Sequence, residues 1–172
     1  MPSFDDRLTE FSLLLEHSES LFDALRQISK RLQSLLGAER ASVLLYDKKR
    51  HLLRRVAGED EEMIVVPYDQ GIVGESLRTG KVQLENEPYN STNFFAEVDM
   101  QLGFYTQSIL TIPLFNDQQN IIGVIELLNK KGGFDKDDKA FAETLSHALS
   151  THIALAQKSI TDETPKGETY AT

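Results

Sequence analysis

The stretch from Asp99 to Lys130 constrains the fold of this 172-residue chain more than any other part. An apolar run from Ser108 to Phe115 and another from Ile121 to Leu128 flank five turn-forming residues. Two apolar runs separated by such a turn predict a β-hairpin. The second run contains one acidic residue, Glu126. On a strand whose side chains alternate between two faces, this carboxylate either faces solvent or lines a pocket where it orients a ligand.

The composition limits what the chain can do. It contains no cysteine, which excludes disulfides, thiolate metal sites and cysteine-based catalysis within these residues. A formal net charge of -9 argues against nucleic-acid binding, because that affinity comes mainly from Lys and Arg neutralising phosphates. We find no signal peptide, and no window approaches the ~20 apolar residues of a membrane span. We therefore expect a cytoplasmic domain with no membrane or nucleic-acid partner.

The N-terminal region predicts helices. Ser3 followed by Asp6 is typical of a helix N-cap. Ser20 and Asp23 repeat the pattern, so we expect two helices, or one kinked helix, that meet near residues 17–20. Apolar residues follow two adjacent stripes at seven-residue spacing: Leu8, Phe11, Leu15, Phe22, Leu25, Leu32 and Leu36, and beside them Leu14, Leu21, Ile28 and Leu35. Either both stripes form one broad core face, or one covers a sheet while the other packs on a partner helix.

The remaining residues predict six strands, one short helix and one long helix. The strands are predicted at residues 41–46, 51–57, 63–67, 81–84, 108–115 and 121–128, the short helix at 69–80 and the long helix from 135. Successive strands joined by short turns favour an antiparallel sheet with helices grouped outside it, which is an α+β fold. We expect an N-terminal helix over 1–19, the main domain over 20–158 and a disordered tail over 159–172.

Two segments are candidates for ligand binding. Residues 85–107 are polar and irregular, and a loop of this length inside a compact domain is usually a lid or a binding loop. The turn Gly71-Ile72-Val73-Gly74 opens the predicted short helix. Its backbone N–H groups bind an anion at the positive end of the helix dipole, unless the glycines merely cap and pack the helix. The local sequence leaves both interpretations open.

The sequence contains no pattern organised for catalysis. His147 and His152 are five residues apart on the predicted last helix, about 140° apart around its axis, so they do not form a helical metal pair. No nucleophile elbow, phosphate-binding P-loop or dinucleotide fingerprint is present. We therefore expect neither enzyme activity nor a metal site.

The chain resembles a GAF domain in segments that follow one another in the family's order: Ala41–Asp47, Asp69–Gly74, Phe94–Asp99, Gly103–Thr106, Ser108–Leu110 with Pro113, and Gly123–Lys130. The resemblance extends from about Ser20 to Ala156. More narrowly, the chain is similar to the regulatory GAF domains of cyclic-nucleotide phosphodiesterases and of cyanobacterial adenylyl cyclases. The resemblance implies an α/β/α sandwich around a six-stranded antiparallel sheet. It also implies long N- and C-terminal helices, through which many members form homodimers.

The resemblance implies a non-catalytic regulatory domain that senses a small molecule. The implied ligand is a cyclic nucleotide (cAMP or cGMP) or a similar small anion, and no other cofactor is implied. The signal would pass through helix-mediated dimerisation. The implied output partners include a separate effector protein. Some stand-alone members reduce free methionine sulfoxide, but they use cysteines, which this chain lacks. The alternative is a dimerisation or adaptor module that binds no ligand.

Seven positions match ligand contacts of the nucleotide-binding members: Ser42, Ile72, Val73, Phe95, Asp99, Thr106 and Glu126. In those members the position of Ser42 contacts the base region, and the backbone at the positions of Ile72 and Val73 contacts the cyclic phosphate. The position of Phe95 stacks near the purine. The positions of Asp99 and Thr106 bond the ligand from the lid, and the position of Glu126 closes the site from the sheet. Four further positions are implied to brace the pocket: Asn129, Lys130, Phe134 and Asp138.

Four positions depart from the nucleotide-binding members. Leu102 stands where they usually carry Thr, and Ala57-Gly58 where they tend to place an aromatic residue and an acid. Lys139 replaces the Glu that ends the bracing motif. Because one lid hydrogen bond is worth roughly 0.5–1.5 kcal/mol, we expect Leu102 to weaken nucleotide binding by up to about tenfold.

Overall fold

The computed structural model describes residues 3–58 and 63–161. Most of the predicted tail, residues 162–172, lies outside this range, whereas residues 159–161 belong to the last helix. The elements follow in this order: α1 Phe4–His17, α2 Leu21–Leu36, β1 Ala38–Asp47, β2 Leu52–Ala57, β3 Val65–Pro67, α3 Gly71–Thr79, β4 Gln83–Glu85, a 3-10 turn Pro88–Asn90, α4 Glu97–Leu102, β5 Ile109–Phe115, β6 Ile121–Lys130 and α5 Lys136–Thr161.

The six strands form one antiparallel sheet in the order β3-β2-β1-β6-β5-β4. The prediction of an α+β fold with a six-stranded antiparallel sheet is confirmed. The hairpin that opened the sequence analysis forms strands β5 and β6. In the sheet, β6 lies between β5 and β1, so the hairpin occupies the centre of the fold rather than an edge.

The two N-terminal helices begin and end at the predicted signals. Ser3 and Asp6 form a capping box on α1, and the Ser20 hydroxyl accepts a hydrogen bond from the Asp23 amide at 3.0 Å on α2. Gly37 ends α2 in the left-handed conformation, at φ 70°. The chain therefore forms two separate helices, the first of the two alternatives.

Both apolar stripes of these helices pack into the same core within one chain, with the exception of Phe22 in the first stripe. Phe11, Leu25 and Ile28 are buried, and Leu14 and Leu35 of the second stripe are partly buried against the same cluster. A single broad core face thus accounts for both stripes. Two large apolar side chains remain outside it: Leu13 on α1 and Phe22 on α2 are 48% and 43% exposed.

The two faces of the sheet carry separate cores because strand side chains alternate. Val43 and Ile125 face the core that α1, α2 and α5 cover. Leu44 and Val124 face the opposite core, which includes side chains of α3 and, at its margin, α4. Three long helices fill the first face, whereas two short helices cover the second incompletely. This difference leaves room for a cavity on the second face.

The prediction that residues 85–107 are irregular is wrong in one part, because α4 forms within them. Ala96 at the N-cap provides no side-chain hydrogen bond, and the helix has only six residues, so local signals for it are weak. Its Val98 and Leu102 pack against the core of the second face. Tertiary packing therefore stabilises a helix that the local sequence does not indicate.

Candidate functional site

A cavity lies between the second face of the sheet and the helices α3 and α4. Side chains of the sheet form its floor, and the first turn of α3 together with residues 94–106 forms its walls. We call residues 94–106 the lid. All seven residues that were predicted to contact a ligand line this one cavity: Ser42, Ile72, Val73, Phe95, Asp99, Thr106 and Glu126. Their role in binding stays a prediction, but the fold brings them together.

The cavity is closed down in this conformation. The volume open to the centre of a water molecule is about 60 Å³, although the space free of atoms, with the open mouth included, is about 670 Å³. One water molecule needs about 10–15 Å³ of space that its centre can reach, so the smaller of these two volumes has room for a few waters. A ligand of nucleotide size requires the lid to move outward.

Two polar side chains lie side by side on the floor. Ser42 on β1 and Glu126 on β6 are direct partners in the antiparallel ladder. Their side chains therefore point to the same face of the sheet, with neighbouring Cβ atoms. Among the residues that the structure describes, the Glu126 carboxylate has no hydrogen-bond partner. Of the two roles left open by the sequence, the structure places Glu126 in the pocket rather than in bulk solvent.

The surroundings of Glu126 favour its protonated form. Burial, together with the negative charge of Asp99, raises the pKa of its carboxyl group to about 7. The positive charge of Arg55 acts in the opposite direction. A carboxyl group with a pKa near neutrality can accept or donate a hydrogen bond to a ligand, depending on pH.

The sequence analysis missed two arginines that line the cavity, Arg40 on β1 and Arg55 on β2. The first could have been found from strand periodicity, because it lies two residues before Ser42 and so shares its face. The same periodicity accounts for the second, because Arg55 lies two residues after Leu53, which packs in the core of the second face. The cavity therefore contains positive side chains in addition to the backbone N–H groups expected at the α3 turn.

The first turn of α3 faces the cavity. Gly71, Ile72 and Val73 line it, and the N-cap Gln70 makes no side-chain hydrogen bond to the turn. Gly71 adopts φ 74°, which favours glycine. Gly74 packs instead, because a Cβ there would lie 2.8 Å from the Tyr68 carbonyl oxygen. Gly74 thus has the packing role, whereas anion binding at this turn stays a prediction.

The Asp99 carboxylate holds the lid together by accepting hydrogen bonds. One carboxylate oxygen accepts hydrogen bonds from the Thr106 amide at 2.8 Å and the Tyr89 hydroxyl at 2.6 Å. The other accepts the Thr106 hydroxyl at 2.6 Å. Asp99 and Thr106 were both predicted to bond the ligand, but in this conformation they bond each other. The hydrogen bond to Asp99, aided by burial, raises the pKa of Tyr89 to about 12.

Ring contacts and a cation–π contact cover the mouth of the cavity. Tyr89 stacks on Tyr105 with ring centroids 4.9 Å apart and planes 13° apart, and it meets Phe94 edge-on at the same distance. The Arg40 guanidinium lies 4.2 Å from the centroid of the Phe104 ring. Since Arg40 belongs to the sheet and Phe104 to the lid, this contact ties the lid to the floor.

The four predicted bracing residues lie outside the cavity lining, and the Asn129 side chain bonds to the lid. The Asn129 side chain accepts from the Gln107 and Ser108 amides and donates to the Tyr105 carbonyl oxygen. Lys130 forms an ion pair with the largely buried Asp138, with Nζ 2.7 Å and 2.9 Å from its carboxylate oxygens. Phe134 is buried in the main core. The bracing role of these four residues stays a prediction.

A sequence model of the GAF domain family matches residues 18–154 of the chain. The chain belongs to this family. The sheet order, the cavity between the sheet and the short helices and the lid over it are thus features of a GAF domain, a family of regulatory domains that sense small molecules.

Curated relatives include cGMP-specific 3',5'-cyclic phosphodiesterases. The protein from Drosophila sechellia is 34% identical over 94 residues, which are 53% of this chain and 8% of the relative. The protein from Drosophila melanogaster is 33% identical over the same length. The chain thus spans a small part of these relatives, and their whole-protein activity does not transfer to it.

Solved structures share the fold at low sequence identity. The GAF domain of a phosphoenolpyruvate-protein phosphotransferase from Coxiella burnetii matches with a TM-score of 0.78 at 18% identity, covering 92% of this chain and 96% of the other. A free methionine-R-sulfoxide reductase from Neisseria meningitidis, solved with its substrate, matches with a TM-score of 0.77 at 16% identity and 91% coverage of both chains. At these identities the likeness shows the fold alone.

The described residues contain neither a helix suited to span a membrane nor a cluster suited to hold a metal ion. None of the helices in residues 3–58 and 63–161 is both long and apolar enough to cross a membrane. In the same part of the chain, no cluster of three or more His, Asp or Glu side chains is placed to hold a metal ion.

Proposed function

We propose that this GAF domain is a non-catalytic sensor that binds a cyclic nucleotide (cAMP or cGMP), or a similar small anion, in the cavity beneath the lid. One observation carries the proposal: the open first turn of α3 and the unpaired carboxyl of Glu126 face the same cavity. The first supplies oriented N–H groups for an anion, and the second supplies a polar partner for the rest of the ligand.

The relatives support the nucleotide form of the proposal. The phosphodiesterases from Drosophila are named for cGMP, and more than half of this chain aligns with them. The narrower resemblance, to regulatory GAF domains of phosphodiesterases and adenylyl cyclases, is part of this proposal. In our view Ser42, Phe95 and Glu126 contact the ligand, while the backbone of Ile72 and Val73 holds the cyclic phosphate.

Ligand entry requires the lid to change its partners. Asp99 and Thr106 satisfy each other in the closed conformation, so the ligand must replace these hydrogen bonds if the two residues are to bind it. Tyr89 is 46% exposed, so water would then replace Asp99 as the acceptor of its hydroxyl at little cost. Binding of the ligand and rearrangement of residues 94–106 are thus one event in this proposal.

We propose that the domain is not an enzyme. Its likeness to free methionine-R-sulfoxide reductases extends to the fold, but the chain has no cysteine to perform such a reduction. We also propose a cytoplasmic location, no metal and no cofactor other than the bound ligand. The net charge of -9 supports the absence of a nucleic-acid partner.

Calorimetry with cAMP and cGMP tests the ligand. We expect heat of binding at micromolar nucleotide, and a loss of about tenfold or more in affinity for Phe95→Ala, because stacking of a base on an aromatic ring is worth about 1–3 kcal/mol. The control Phe22→Ala removes an exposed ring from α2, outside the cavity. Binding should be unchanged in this variant. The absence of heat with either nucleotide at millimolar concentration would disprove the nucleotide proposal.

We further propose that the domain forms a homodimer through its N- and C-terminal helices and signals to a separate effector protein through that pairing. The exposed Leu13 on α1 supports such a surface. Sedimentation should show a dimer that Leu13→Asp shifts toward monomer by at least tenfold in dissociation constant. Met100→Asp, a change at an 81% exposed lid residue, serves as control. A change at Leu15 would be uninformative, because Leu15 is buried and its replacement would unfold the core.

The competing function is a dimerisation or adaptor module without a ligand. It shares the helix pairing but predicts that neither nucleotide binds. A dimer that dissociates in Leu13→Asp, together with no heat in calorimetry, would favour it. A monomeric wild-type protein at high concentration would exclude both versions of the pairing.

A further inference from the structure

A groove opens at the edge of the sheet, between α5 and the residues that follow α3. It offers about 550 Å³ to the centre of a water molecule, against about 60 Å³ in the cavity beneath the lid. The larger volume falls within the range of small-molecule pockets, roughly 300–1,000 Å³. In the described part of the chain, the linings of the groove and the cavity share no residue. The groove is therefore a separate place on the domain.

The groove exists because β4 is shorter than the strand with which it pairs. β4 pairs with β5 only from Ile109 to Thr111, whereas β5 continues to Phe115. Pro113, in this extension, has no N–H group to offer to a further strand. Its carbonyl oxygen accepts a hydrogen bond from the Ser146 hydroxyl of α5 at 2.6 Å. The end of β5 is thus attached to α5 and borders the groove.

Short side chains leave the space between the two walls unfilled. The α5 wall consists of residues at the spacing of one helix face: Lys139, Glu143, Ser146, His147 and Ser150. The two serines are buried, so they form the base of this wall, and the other three side chains are exposed at its rim. The opposite wall begins with Gly80, which has no side chain, and continues with Lys81 and Val82.

The groove reverses the charge balance of the chain. The chain contains 27 acidic and 18 basic residues, but the ionisable side chains of the groove are two lysines, one histidine and one glutamate. Lys81 belongs to one wall and Lys139 to the other. Within the described residues, neither ammonium group has an ion-pair partner. The charge of the groove therefore favours an anion between its walls.

We propose that this groove is a second ligand site, which takes a small organic anion with an apolar body and a single carboxylate or other singly charged acidic group. Val82, Pro113 and Phe115 provide apolar surface for the body. The anionic group lies between the ammonium groups of Lys81 and Lys139, which have only donors to offer.

Glu143 limits the charge that the groove accepts. Its carboxylate lies on the same wall as Lys139 and offsets part of the positive charge. A singly charged ligand is therefore favoured over a polyanion. The proposal goes beyond the sensor function, since it does not depend on a nucleotide beneath the lid.

Fluorescence titration with two probes tests the site. Anilinonaphthalene sulfonate (ANS) is an apolar ring system with one negative charge, and phenylnaphthylamine has the same rings without the sulfonate. We expect saturable binding of ANS, at least about fivefold tighter than binding of the neutral probe, because only ANS pairs with the lysines.

Lys81→Gln and Lys139→Gln each remove one charge and leave the walls of the groove in place. Each should weaken ANS binding about threefold, and the double variant about tenfold, with no change for phenylnaphthylamine. Lys48→Gln is the matched control, because Lys48 is an exposed lysine that lines neither the groove nor the cavity. It should bind both probes as the wild type does.

Methyl NMR of the wild type locates ANS without any substitution. Val82 lines the groove and Val98 lines the cavity beneath the lid. Addition of ANS should shift the methyl signals of Val82 and leave those of Val98 in place. This measurement keeps the test decisive if a lysine variant fails to fold, which circular dichroism would reveal.

The outcomes decide the proposal independently of the sensor function. The absence of saturable ANS binding, equal affinities for the two probes, or shifts at Val98 without shifts at Val82 would overturn the site. Lysine variants that bind ANS as tightly as Lys48→Gln would do the same. Tighter binding of ANS that both lysine variants weaken, with shifts at Val82, supports the site. Calorimetry with cyclic nucleotides tests the cavity beneath the lid alone.

Discussion

Glu126→Gln is expected to stabilise the domain by up to about 3 kcal/mol at pH 8. The pKa of the carboxyl is about 7 in the folded protein and 4.5 as its ordinary value, so the folded state binds the proton more tightly. The contribution of this group to stability therefore falls as pH rises from about 4.5 to 7 and is lowest above 7. Glutamine, which carries no charge at any pH, removes that loss.

The dependence on pH identifies the cause. At pH 5.5 the gain should shrink to about 1 kcal/mol, since the native carboxyl is then mostly protonated. The charged groups around it are Asp99 from the lid, Arg55 from β2 and Arg40 from β1, all of which line the same cavity. Urea unfolding of wild type and variant at both pH values measures the difference. The exposed Glu143 on α5 provides the control Glu143→Gln, which should change the free energy of unfolding by less than about 0.5 kcal/mol at either pH. A Glu126→Gln effect that is equal at both pH values would contradict the assignment.

Asp99→Ala is expected to lower the free energy of unfolding by about 3 kcal/mol and to loosen the lid. The change removes the acceptor of three hydrogen bonds, two from Thr106 and one from the Tyr89 hydroxyl. A hydrogen bond to a charged group contributes about 1.5–3 kcal/mol, and Thr106 is buried, so its amide loses a partner without gaining water. Relief of the repulsion on Glu126 offsets part of the loss.

Urea unfolding and hydrogen exchange of the Thr106 amide measure this effect. Exchange should accelerate at least tenfold in Asp99→Ala, because the lid opens without its central acceptor. Tyr89→Phe removes one of the three hydrogen bonds, from a side chain that is 46% exposed, and should cost about 1 kcal/mol. Equal effects of the two variants, or unchanged exchange in Asp99→Ala, would show that Asp99 does not hold the lid closed.

The sequence predicted most of the fold because local signals for it are strong. Helix boundaries are set by the capping box at Ser3, the cap at Ser20 and the left-handed Gly37. Each of these signals involves only a few neighbouring residues. The apolar runs around a polar turn define the β5–β6 hairpin in the same way. Such signals depend on neighbours in sequence, which a sequence displays directly.

The candidate site was predictable in its membership but not in its arrangement. Motif similarity brought seven residues to attention, and all of them line one cavity. The same reasoning gave Asp99 and Thr106 to the ligand, whereas the closed lid pairs them with each other. A list of residues does not contain the alternative partners that a fold supplies, so the state of the lid could not be inferred.

The sequence by itself determined the α+β class and, apart from α4, the order of the elements, because periodicity, caps and turns are local. Its motifs indicated the family. Only the tertiary structure decided the rest of the cavity. Pairing of β2 with β1 places Arg55 on the cavity floor, and packing against the sheet stabilises α4 and closes the lid. Register and packing depend on residues distant in sequence, and a shift of one residue exchanges the two faces of a strand. For that reason the fold settled which polar groups meet on the floor of the cavity.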